Sequence, residues 1–160
     1  MIQEEVLLSH LIYNETYSRK VLPFLKGEYF QTRQDKIIFT IVDNYIKNYN
    51  KLPSIEAITS ELNSLNNITE DEFKSCVENI AALKADLETS VDWLIDETEK
   101  FCKDKAVYNA ILKSIKIIDG QDKQHTKDSL PSILSDALGV SFDNHVGHDY
   151  IEDYDERYDF

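Results

Sequence analysis

Glycine and proline are scarce in this chain, 4 and 3 of 160 residues, so there are few places where a helix must stop. The four glycines stand at positions 27, 120, 139 and 147. That spacing excludes both the GxxxxGK(S/T) phosphate loop and the GxGxxG dinucleotide fingerprint, because each needs glycines within a few residues of one another. Cysteine is limited to Cys76 and Cys102, which form no CxxC pair and are expected to be ordinary reduced packing or surface thiols. No signal peptide is recognisable, and no run approaches the roughly 18 apolar residues needed to cross a bilayer, so a soluble protein is expected. Positive charge is also short. The 17 Lys+Arg face 30 Asp+Glu, a net charge of −13, and such a field repels a phosphate backbone. Direct DNA binding by this chain is therefore not expected.

What the sequence does have is helical periodicity. Apolar positions recur at three- and four-residue spacing, no segment reads as a strand, and the length suits one domain with an appendage. The expected fold is all-α: a compact helical head over residues 1–88, a projecting antiparallel helical hairpin over 89–142, and an acidic linker or linker helix over 143–160.

In the head, helices are expected near Gln3–Tyr13, Glu15–Leu25, Gln34–Asn48 and Ile55–Leu65. Tyr29 and Phe30 form an aromatic plug before the third of these, Thr32 with Asp35 resembles a capping box, and Ile38, Ile41, Val42, Tyr45 and Tyr49 share a face. Lys51-Leu52-Pro53-Ser54 then ends that helix and supplies Ser54 as the next N-cap. Asn66-Asn67 reads as a turn. Thr69 with Glu72 repeats the capping-box pattern and opens a helix whose apolar face is Phe73, Val77, Ile80 and Ala81.

From Ser90 the pattern becomes a three-four alternation: Val91, Leu94, Thr98, Phe101, Lys105, Tyr108, Leu112 and Ile115, with Gly120 as the stop. A helix of that extent, at 1.5 Å per residue, runs about 43 Å. It should outreach a head of roughly 31 Å diameter. A second, shorter arm carries Leu130, Ile133, Leu134, Ala137 and Leu138, with Pro131 in its first turn and Gly139 at its end. A shorter arm covers only part of the longer one, so some of the seam needs another partner.

The last 18 residues hold seven acids and one arginine, a net of −6 that leaves −7 for the rest. Within them Tyr150, Ile151, Tyr154 and Tyr158 recur at helical spacing and could dock in a groove. His145, His148 and Asp149 resemble metal ligands but lack the third or fourth fixed donor that zinc requires, and the acids Asp153, Asp155 and Glu156 have no apolar pocket around them in the sequence. No metal site and no catalytic set is assigned.

The order found between Val21 and Leu62, a short helix, a Tyr-Phe plug, a long amphipathic helix and a proline-started helix, resembles the N-terminal domain of DnaB-type replicative helicases. Glu5-Val6-Leu7 to Asn14 matches that family's leading helix in type. The likeness is clear over residues 4–65 and holds in outline over 90–142. Its flavour is closest to the helicase subunit of the primase-helicase of T-even-like phages, although Asp35 stands where the family often carries histidine.

The resemblance implies a phage protein in the host cytoplasm that serves as the oligomerisation collar of a hexameric DNA helicase and recruits primase. Helical hairpins pair between subunits in that family. By that implication Phe101, Tyr108, Leu112, Ile115, Ile133 and Leu134 would lie at the subunit interface, and Tyr150, Ile151, Tyr154 and Tyr158 would dock a linker helix on a neighbouring motor. ATP and Mg²⁺ would be bound only by a motor domain beyond Phe160, and no cofactor by this fragment. A free-standing helical adaptor is the alternative, favoured by a stop codon directly after Phe160. An acidic DNA mimic ranks third, since nearly half of the excess charge sits in the last 18 residues and not along the body.

Overall fold

The computed structural model describes residues 1–142, and among them are seven α-helices and no strand. They are α1 (Glu4–Tyr13), α2 (Glu15–Val21), α3 (Arg33–Tyr49), α4 (Ile55–Asn63), α5 (Glu70–Ala82), α6 (Val91–Ile118) and α7 (Leu130–Leu138). Two compact units share α6. The first is Met1–Thr98 and the second begins at Glu99.

Helix boundaries follow local chemistry. Asn14 ends α1 and caps α2, its side-chain oxygen accepting from the Tyr17 amide at 3.2 Å. Ser54 caps α4 through the Ala57 amide at 3.0 Å. At α5 the capping box closes in both directions: Thr69 Oγ1 accepts from the Glu72 amide at 3.1 Å, and Glu72 Oε1 accepts from the Thr69 amide at 3.0 Å. That bond, with Arg33 alongside, holds the Glu72 carboxyl below its usual range. At α3 the N-cap bond forms, Thr32 Oγ1 accepting from the Asp35 amide at 3.1 Å, and the Asp35 side chain hydrogen-bonds to Glu4 and to the Thr32 side chain. Helix α3 ends on Asn50 at φ 56°, and the Arg19 guanidinium donates to both the side-chain and main-chain oxygens of Asn50 at 2.8 and 2.9 Å.

The first unit is organised around α3, which packs against α1, α4 and α5. Tyr29 and Phe30 are buried as a plug, and Phe30 stacks on Phe39 with ring centroids 4.9 Å apart. Two expected faces shift. Tyr49 is 63% exposed, lying in the last turn of α3 against Tyr45, and Ile46 fills the core position instead. On α5 the buried positions are Cys76 and Ile80, with Phe73 and Val77 half-buried and Ala81 exposed. Burial raises the Cys76 thiol, so this residue packs as a small hydrophobe.

The unit takes in the first two turns of α6, ten residues past the boundary at 88 that the sequence pattern suggests. Leu94 and Thr98 are fully buried, and the Tyr17 hydroxyl meets Thr98 Oγ1 at 2.6 Å. Thr98 Oγ1 in turn donates to the Leu94 carbonyl at 2.7 Å, so Tyr17 is the donor to Thr98.

In the second unit α6 ends in a Schellman arrangement. Gly120 sits at φ 77°, its amide donates to Ile117 O, and the Gln121 amide donates to Lys116 O at 2.9 Å. After α7 the chain returns to the third turn of α6: the Phe142 amide donates to Glu99 Oε2 at 2.9 Å and Ser141 Oγ to the same oxygen at 3.2 Å. No helix among the described residues is long and apolar enough to cross a membrane.

Candidate functional site

The covered positions on the distal part of α6 are mostly small. Cys102, Ala106, Ala110, Ser114 and Ile117 are buried, stepping by four and finally by three residues. The seam positions Tyr108, Leu112 and Ile115 stand on the other side, since each residue advances the helix by about 100°. They are 58%, 43% and 48% exposed, and Ile111 and Ile118 join them in one outward apolar stripe.

The six positions expected at an interface thus divide. Phe101 is 1% exposed and gives its area to the chain's own fold, whereas Tyr108, Leu112 and Ile115 offer theirs to the outside. On α7, Ile133 is half-buried and Leu134 and Leu138 are exposed, with Ala137 the one buried side chain of that helix. Isolated exposed hydrophobes are ordinary on protein surfaces, but five large ones aligned on about three turns of one helix are not. Tyr150, Ile151, Tyr154 and Tyr158, like His145, His148 and Asp149, lie outside the described residues.

A second feature, not evident in the sequence, is a groove of about 280 Å³ in the first unit, between the start of α1, the start of α3 and the end of α5. Leu8, Ile38 and Leu83 supply its apolar wall, and Glu5 and Asp35 its acidic edge. Burial, together with a hydrogen bond to Glu4 and repulsion from its charge, pushes the Asp35 carboxyl above its usual range. Glu4 also accepts from the Gln31 amide at 3.0 Å, which holds it beside α3.

His10 is the other perturbed group. It is 2% exposed, packs edge-on against Tyr17, and receives a hydrogen bond on Nδ1 from Asn14 Nδ2 at 3.3 Å. Burial lowers its proton affinity, with Asp86 partly opposing. It is a neutral core histidine. Among the described residues no three His, Cys, Asp or Glu side chains converge as a metal site.

No protein-family profile matches the chain. Against curated proteins, it is 35% identical over 162 residues to a DnaB-like replicative helicase of Enterobacteria phage T4, covering 96% of this chain and 34% of that helicase. The resemblance carried by Val21–Leu62 therefore extends along nearly the whole chain, which is a helicase-related domain. The chain spans about one third of the length of the curated relative it matches.

Proposed function

We propose that this chain is the N-terminal collar domain of a phage hexameric replicative DNA helicase. It associates through α6 and α7 and recruits primase to the assembly. The supporting observation is the outward apolar stripe of Tyr108, Ile111, Leu112, Ile115 and Ile118 on a chain similar to a phage replicative helicase. Covering such a stripe removes apolar area from water at about 25 cal/mol per Å², and a second copy of the same helix offers a matching surface. Leu134 and Leu138 are further exposed apolar side chains, on α7. The motor that binds ATP and Mg²⁺ belongs to the remainder of the parent protein, which acts as the helicase.

The test is Ile115→Asp, read by light scattering and circular dichroism at tens of micromolar protein. The wild type is expected as a dimer or larger species. The variant would bury an unpaired carboxylate at a cost of several kcal/mol on association, so it should be monomeric with unchanged helicity. A monomeric wild type overturns the reading.

A further inference from the structure

We propose that the groove between α1, α3 and α5 receives one arginine side chain presented by a partner protein. Its volume of about 280 Å³ lies just below the usual 300–1,000 Å³ of small-molecule sites, so it suits a single side chain and is too small for a nucleotide. Its two surfaces differ in chemistry. Leu8, Ile38 and Leu83 offer apolar contact to a methylene stem, as the long basic side chains require. At the edge, the carboxyls of Glu5 and Asp35 offer acceptors to a charged head.

A guanidinium answers that edge better than an ammonium, because its five N–H donors lie in a rigid planar fork that can engage two carboxylates at once. Thr32 and Asn79 add side-chain oxygens at the rim. A bound metal is the competing complement, but no group of three potential ligands exists among the described residues. An anionic ligand is opposed both locally and by the net charge of −13. The groove lies wholly within the first unit and the α6 stripe within the second, so this inference stands or falls separately from the collar reading.

The probe is N-acetyl-arginine amide, titrated into the full 160-residue chain and followed by methyl NMR. N-acetyl-citrulline amide serves as the uncharged isostere. Saturating shifts at the Leu8, Ile38 and Leu83 methyls are expected with a millimolar Kd for arginine and none for citrulline. Glu5→Gln, at an exposed position, should weaken arginine binding at least threefold without altering the melting curve, and Glu5→Gln with Asp35→Asn at least tenfold. Equal response to citrulline would mean that only the apolar wall binds. Shifts spread over the acidic surface would mean unspecific charge attraction. Either result, or no saturable shift, overturns the proposal.

Discussion

Phe39 shows what a single core side chain contributes in this chain. It is 3% exposed and stacked on Phe30, so truncation removes both its transfer energy and an aromatic contact. Phe39→Ala should cost about 3–5 kcal/mol, visible as a large fall in melting temperature. His10 makes a pH-dependent contribution of known sign. Its Nδ1 accepts from Asn14 Nδ2, and protonation would set two donors against each other in a buried site. Because the folded pKa is lowered, the unfolded chain takes up the proton first. The stability that depends on neutral His10 is fully present above about pH 6.5 and is lost as pH falls toward the folded value. Urea unfolding at pH 7.5 and 5.5 should show this loss, and His10→Gln should flatten the slope.

At the scale of elements, helix ends were legible because their chemistry is local. Thr69 with Glu72, Ser54, and Gly120 each act within a few residues, and each ends or begins a helix where the pattern placed it. Gly120 at φ 77° carries a direct consequence: Gly120→Ala forces a side chain into the left-handed region and should cost about 1–2 kcal/mol, measured by thermal melting. Nothing lies within 4 Å of a Cβ built there, so the cost would be backbone strain and not crowding.

Faces were less legible than ends. The heptad reading joined Leu94 and Phe101 to Tyr108, Leu112 and Ile115 in one seam. These positions do share one side of the helix, since 18 residues bring Leu112 back over Leu94, but that side is covered at Leu94 and Phe101 and exposed from Tyr108 onward. Small residues such as Ala106 and Ala110 carry little hydrophobic signal, yet they occupy the covered side. The groove was invisible for a related reason, since Glu5, Asp35 and Leu83 meet only after three helices have packed.

For the whole molecule, scarce glycine and proline and a helical apolar period pointed to the all-α class that the helices show, and similarity to a phage replicative helicase established the kinship. Two contacts that define the units could not be read from sequence spacing, because Tyr17 and Thr98 are separated by 81 positions and Glu99 and Phe142 by 43. With glycines too far apart to cradle a phosphate and with net charge −13, the isolated chain should neither hydrolyse ATP nor retain single-stranded DNA. A coupled ATPase assay and fluorescence anisotropy at 150 mM salt check this. The expected results are no turnover above background and no binding tighter than about 10 μM.

The clasp at Glu99 also sets how the chain would bear a load. A pull on the backbone beyond Phe142 would reach the two bonds that Glu99 Oε2 accepts, and through them the third turn of α6. The loop at Gly120 and the outward stripe from Tyr108 to Ile118 lie off that line of force. Tension applied beyond Phe142 would thus be taken up at Glu99 before it reached the stripe.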